Sequence, residues 1–245
     1  MTLRAVENTS LPDQIFEQLT AEIVSGRYRP RSLLPSERKL TAVFGANRHV
    51  VREALKRLEQ VGLVRVVQGG GTTVLDFRRT AGLDLLGVVA DHPEAFDMGP
   101  GLLRSALEMR AGAGADVAAL CARRASPDVR GELVSLAERL AVIRTGPSLL
   151  AADHLFWQRM LDGADNLAYQ LAFNSLLRGV QANPELSLVW LEQELARGDY
   201  RRPIAAAITA GRPEAAASAA RDGLDTGLPL VAAHTDAATE SRSAR

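Results

Sequence analysis

The chain has a single cysteine, Cys121, in 245 residues, so it can close no internal disulfide and cannot supply a multi-thiolate metal site. That usage fits a reducing compartment, and a cytoplasmic protein is expected. Aromatic residues make up only 4%, and Ala and Leu dominate in their place, which favours helix over sheet. No stretch approaches the roughly 18 uninterrupted apolar residues that a membrane span needs. Behind Arg4, the opening Met1–Ser10 has no apolar run, so no secretory signal is read there. An excess of one charge is missing too, since 29 Lys and Arg balance 29 Asp and Glu.

Signatures of catalysis are equally scarce. Gly69-Gly70-Gly71 runs into Thr-Thr-Val rather than Lys-Ser/Thr and a helix, so it is no phosphate-cradling loop. The carboxylate pairs Asp153 with Asp162 and Glu192 with Glu194 come with no positioned His and no nucleophile motif. A helical-bundle enzyme is the competing class, but no turnover is expected.

The chain is long enough for two compact units, and 47% apolar with 24% charged residues is ordinary for a globular protein. The zero net charge hides an asymmetry. Residues 1–79 hold 13 Lys and Arg against 8 Asp and Glu, and the remainder holds 16 against 21. A basic first third suits an anionic polymer. From Leu11, the spacing of Ile15, Leu19 and Ile23 predicts a helix ending at Gly26. Arg27 to Leu34 reads as an extended connection. Ser36 caps a second helix that stops at Gly45, and Asn47 caps a third that runs to Gln60. Leu63–Val67 and Thr73–Leu75 read as strands of a hairpin with a Gly-rich tip. This order is a winged helix-turn-helix.

The third helix carries the chemistry. Val50, Val51, Ala54, Leu55 and Leu58 form its apolar face, while Arg48, Arg52 and Lys56 repeat every four residues on another, with His49 beside them. A cationic stripe starting at a helix N-terminus suits a DNA major groove. Arg pairs bidentately with guanine, and Lys neutralises phosphate.

Leu34-Pro35-Ser36-Glu37-Arg38-Lys39-Leu40, Gly45-Ala46-Asn47-Arg48, Val51-Arg52-Glu53-Ala54-Leu55-Lys56-Arg57-Leu58 and Gly62-Leu63-Val64 together resemble the DNA-binding domain of GntR-family bacterial transcription regulators. The resemblance covers roughly residues 11–77. It implies that Arg38, Arg48 and Arg52 contact an operator and that the wing tip, Gln68, Gly69 and Gly70, approaches the minor groove. Asn47, His49 and Lys56 complete the expected DNA-binding set. Two departures stand out: Arg31 occupies a position where Gly is usual, and Asn47 replaces Ser or Thr as an equally good N-cap. The wing tip lacks the Lys or His often present there, so backbone amides are expected to make its contacts.

The rest of the chain reads as helical, with breaks at Gly146-Pro147, Gly163, Asn183-Pro184, Gly198-Asp199 and Gly211-Arg212-Pro213. The expected organisation is an N-terminal arm (1–10), the winged helix-turn-helix (11–77), a linker (78–100), an all-α effector and dimerisation domain of six to seven helices (101–229) and a disordered tail (230–245). Such a domain resembles the effector domain of the FadR subfamily. One pattern in that subfamily is a metal site of an Asp and three His. Here Asp153 is kept, but Trp157, Arg201 and Gly223 stand in the His positions, so no metal and no cofactor is expected. The stretches 76–86 and 164–174 resemble the branch that lacks these histidines and binds long-chain acyl-CoA. That resemblance implies an acyl-CoA effector, with Arg110, Asp153, Trp157, Tyr169 and Asn174 as candidate effector contacts.

From the residues alone, Arg110 calls for either an anionic ligand or a carboxylate partner such as Asp153. Tyr169 and Asn174 are either ligand contacts or satisfied core polar groups, and Trp157 is either a stacking group or core. The expected partners are a double-stranded DNA operator, a small-molecule effector and a second copy of the chain, with no membrane. Another small carboxylate as effector, and an architectural DNA-binding protein without effector, remain the alternatives.

Overall fold

The computed structural model describes residues 10–67, 69–91, 99–143, 145–182, 184–196 and 198–225. The expected arm and tail fall almost wholly outside these. The chain divides into two compact units, Met1–Met98 and Gly99–Arg245.

In the first unit, α1 (Leu11–Val24) buries Ile15, Leu19 and Ile23, and Ser10 and Asp13 close a capping box at its start. Helix α2 (Glu37–Phe44) begins at Ser36, whose side chain accepts from the Lys39 amide, and ends on Gly45 in the left-handed region at φ 60°. Helix α3 (Arg48–Gln60) begins at Asn47, whose side chain accepts from the Val50 amide at 3.0 Å. It buries Val51, Ala54, Leu55 and Leu58. Val50, read from the sequence as part of that face, is only half-buried. Arg57 of α3 pairs with Asp13 and so ties the first helix to the third.

The hairpin is β1 (Val64–Val67) against β2 (Gly71–Val74), in register from Val64 opposite Val74 to Val67 opposite Gly71. The second strand therefore starts two residues earlier than the Thr73 read from the sequence, because backbone pairing needs no side chain at Gly71. The connection before α2 is extended, and Leu33 bridges to Thr73 at the hairpin edge. Arg31, the departure from Gly, takes φ 72°. That is why glycine suits the position.

The stretch expected as a linker is not bare connection. It holds α4 (Phe77–Thr80) and α5 (Asp84–Asp91). Thr80 Oγ1 donates to the Gly62 carbonyl at 2.7 Å. A Cβ on Gly62 would lie 2.4 Å from the Thr80 carbonyl oxygen, so glycine is required where this segment crosses the end of α3.

Among its described residues the second unit holds seven helices: α6 (Gly99–Arg124), α7 (Pro127–Val142), α8 (Pro147–Ala164), α9 (Leu167–Ala182), α10 (Pro184–Ala196), α11 (Arg201–Thr209) and α12 (Pro213–Asp225). Ala111, Ala115, Ala118 and Ala122 of α6 are buried, as are Ala216 and Ala220 of α12. These small side chains let the two helices approach closely. Around that seam, Leu133, Leu140, Leu149, Phe156, Met160, Ile204 and Ile208 form the core. Cys121 lies in it, where burial pushes its thiol up to about 12. No helix among the described residues is long and apolar enough to cross a membrane.

Candidate functional site

The first unit presents a basic helix. Arg48, His49, Arg52 and Lys56 are all exposed on α3, opposite its buried face, and Arg38 is exposed on α2. The helix-turn-helix geometry comes from short-range causes: the left-handed Gly45 turns the chain, and the Asn47 cap starts α3 at once. Asn47 spends its side-chain oxygen on that cap. Arg52 is held by Glu37 of α2, with its Nε–H donating to Oε2 at 2.9 Å and to Oε1 at 3.1 Å. Both contacts use the Nε edge. The two Nη groups that a guanine would need have no partner among the described residues. Gly69 and Gly70 are exposed at the wing tip, and Gln68 lies outside the described residues.

The second unit contains a buried chain of charges. Arg110 of α6 makes a two-pronged ion pair with Glu194 of α10, with one arm, Nη2 to Oε2, at 3.1 Å. The Tyr200 hydroxyl donates to the same Glu194 Oε2 at 3.2 Å. Next in sequence, Arg201 opens α11 and gives Nε and Nη2 to Asp153 Oδ1 on α8, the Nε contact at 2.7 Å. Its guanidinium carbon lies 4.3 Å from the centre of the Tyr200 ring. Burial by itself lowers a guanidinium pKa, but Glu194, Tyr200 and Asp153 together more than offset this for Arg110, and Asp153, Tyr200 and Glu194 together do so for Arg201, so both are held above their ordinary value. Tyr200 is held above its ordinary value by burial, against the opposing Arg201.

Of the five candidate effector residues, the fold gathers Asp153, Trp157 and Arg110 around this chain of charges. Asp153 and Trp157 are one turn apart on α8. Arg110 does find a carboxylate, but it is Glu194 and not Asp153, and its charge is already balanced. Tyr169 and Asn174 sit elsewhere, on α9. The Tyr169 hydroxyl donates to Asp116 at 2.7 Å, which holds the Tyr169 pKa above its ordinary value. Exposed Asn174 accepts from Gln170 at 3.0 Å. Sequence reasoning did not single out Glu194 and Tyr200 as site residues. The signal available was the presence of two arginines in apolar helical patterns, which demand two carboxylates.

The residues do not fit a divalent ion. Trp157 offers no lone pair, and the Arg201 guanidinium, which is itself a cation, is paired with Asp153. A Cβ at Gly223 would fall 2.1 Å from Tyr200 Cγ, so no imidazole could stand there. Among the described residues no group of three or more His, Cys, Asp or Glu could hold a metal.

Comparison with known proteins places both units. The family described as bacterial regulatory proteins, gntR family, matches residues 11–74, and the FCD domain matches residues 105–226. The HTH-type transcriptional regulator Mce2R of Mycobacterium tuberculosis is 37% identical over 229 residues, spanning 92% of this chain and 93% of that protein. The fatty acid metabolism regulator protein of Shewanella oneidensis is 31% identical over 160 residues, spanning 64% of this chain and 63% of that protein. The solved structure of Lar from Listeria monocytogenes shares the fold at a TM-score of 0.53 and 17% identity, covering 92% of this chain and 98% of that one.

Proposed function

Because the chain belongs to the gntR family of bacterial regulatory proteins and carries an FCD domain, we propose that it works as a homodimer on a palindromic operator and that a fatty acyl-CoA sets its affinity for DNA. The family and the relatives are transcriptional regulators, not enzymes. DNA is the macromolecular partner, and the helical unit is the effector-binding part. The observation that carries the reading is the exposed basic edge of α3, with the Arg52 Nη pair left open by Glu37.

In this mechanism α3 lies in the major groove. Arg52 reads a guanine through its Nη edge, Arg38 and Lys56 neutralise phosphates, and Arg48 and His49 work at the helix start, where backbone amides add phosphate affinity. The exposed Gly69 and Gly70 let the wing backbone come close to the minor groove. One head offers few base contacts, and two-fold symmetry doubles them.

The acyl-CoA reading draws on the likeness to the Shewanella regulator and on a helical interior whose donor set does not suit a metal. Arg110, the sequence-based choice for the CoA phosphates, is occupied by Glu194, so the phosphate contacts fall to other residues. For a hundredfold release, the effector must bind the released conformation about 2.7 kcal/mol more tightly than the operator-bound one. Each buried methylene adds about 0.8 kcal/mol, so potency climbs with chain length until the space is filled.

The test is a titration of operator-bound protein with acyl-CoAs of increasing length, with free CoA and with zinc plus citrate as controls. A graded response to chain length is expected. A flat response, or release only by zinc with citrate, would refute the reading and favour a small carboxylate. In the same assay, Arg52→Ala costs about 1–3 kcal/mol of operator affinity and relaxes base preference.

A further inference from the structure

The helical unit carries a cation of its own. Arg201 is 0% exposed, and a guanidinium so buried needs an acceptor for each of its N–H edges. Asp153 takes Nε and Nη2, and the Tyr200 ring covers one face. Nη1 is buried and meets no acceptor among the described residues. One turn from Asp153 on α8, the indole Nε1–H of Trp157 is likewise buried without an acceptor, in a residue 7% exposed. Two buried donors, linked through the α8 turn that carries both Asp153 and Trp157, are thus left over.

The formal charges around them cancel. Arg110 faces Glu194 and Arg201 faces Asp153, so the interior needs an oxygen lone pair and no further charge. A carboxylate brought there would stand uncompensated in a low-dielectric interior, at a cost far above that of a neutral carbonyl. The neighbouring packing fixes the two donors. A Cβ on Gly114 would lie 3.2 Å from the Trp157 ring, and one on Gly223 would overlap Tyr200, so these glycines make room for both rings, the second of which covers a face of the guanidinium.

We propose that Arg201 is a fixed, built-in cation in place of the metal ion of the histidine-bearing pattern, and that its Nη1 edge and the Trp157 indole N–H together receive an uncharged acceptor oxygen of the effector, of the ester or thioester carbonyl class. The inference rests on the reading that the helical unit binds a small effector. It deepens that reading by naming the group recognised and the residues that recognise it. Because a guanidinium neither dissociates nor loses its proton, effector binding is indifferent to chelators.

The experiment follows the indole N–H signals of ¹⁵N-labelled full-length protein during titration with palmitoyl-CoA, with palmitate and with zinc, while release of operator DNA is measured in parallel. The chain has two tryptophans, and Trp157→Phe or, should that variant fold poorly, Trp190→Phe identifies the Trp157 signal. Palmitoyl-CoA moves the Trp157 signal downfield, and Trp157→Phe weakens palmitoyl-CoA binding up to about tenfold, the worth of one hydrogen bond. Zinc and EDTA change neither result. A Trp157 signal moved by palmitate and not by the thioester overturns the carbonyl class. Stoichiometric zinc uptake that moves it overturns the built-in cation, and a signal that none of the probes moves overturns the site. Operator release by palmitoyl-CoA with an unmoved Trp157 signal removes this inference and leaves the regulatory reading intact. A moved signal without operator release does the reverse.

Discussion

Replacing Asp153 by Ala strands the Arg201 guanidinium in the core of the helical unit. Arg201 is 0% exposed and Asp153 15%, so little solvent is at hand to take over the lost partner. Unlike a buried lysine, Arg201 cannot escape by shedding its proton, and its pKa is held above the ordinary value in the intact protein. Removing one member of such a pair costs about 3–5 kcal/mol, because the remaining charge is left uncompensated. In a unit of this size each kcal/mol moves the melting temperature by about 2–4 °C, so Asp153→Ala lowers the helical transition by about 6–20 °C. Removing both charges, as Asp153→Ala with Arg201→Met, recovers most of that loss, since a buried pair replaced by apolar groups is close to neutral. Thermal unfolding followed by far-UV circular dichroism reads both variants. A single variant within about 1 kcal/mol of wild type, or a double variant no more stable than the single one, would refute the claim that Asp153 is the chief charge partner of Arg201. Raised salt leaves the difference in place, because a pair shielded from solvent is poorly screened.

Other expectations follow from single contacts. Glu37→Ala frees the Nε edge of Arg52 and lowers discrimination between the operator and a base-substituted site by about tenfold, within the worth of one bidentate base contact. Equal gains in affinity for operator and random DNA would instead mean that Glu37 only repels phosphate. Arg31→Gly relieves the backbone at φ 72° and raises stability of the first unit by up to about 1 kcal/mol, read as a denaturant midpoint. The Cys121 thiol moves from an ordinary 9.0 to about 12 in the folded chain, so the folded state keeps a proton that the unfolded state gives up. Stability is therefore whole below about pH 9 and falls as pH rises toward about 12, and Cys121→Ala flattens that part of the alkaline unfolding curve.

Much of the DNA-binding unit was legible because its causes are local. The Ser36 and Asn47 caps, the Gly45 turn and the basic stripe of α3 each act within a few residues, and spacing alone exposes them. The misreadings lie where a distant partner decides. The second strand begins at Gly71 because Val67 lies opposite it, and cross-strand register outweighs the low β-propensity of glycine. Within the stretch expected as a linker, Thr80 bonds the Gly62 carbonyl across 18 residues and so ties it to the end of α3. That contact leaves no trace in the composition of residues 78–100.

The helical unit shows the same division more sharply. Its seven helices were readable from apolar periodicity and from the Gly and Pro breaks between them, because a helix is closed by its own near neighbours. Which charge meets which is a different matter. Arg110 and Glu194 are 84 residues apart, and Arg201 and Asp153 are 48. Sequence reasoning left Arg110 open between an anionic ligand and a carboxylate such as Asp153, yet Asp153 pairs with Arg201, which is 0% exposed. Two arginines and two carboxylates allow two pairings, and only the three-dimensional arrangement of α6, α8, α10 and α11 selects between them. The choice has consequences for function. With Arg110 bound to Glu194, the fully buried cation of this interior is Arg201. Its neighbours Tyr200 and Trp157 are the large rings that the glycines at 223 and 114 make room for. Trp157, Arg201 and Gly223 are therefore parts of one interior, in which Trp157 fills space beside Gly114, Arg201 supplies charge and Gly223 yields room to Tyr200.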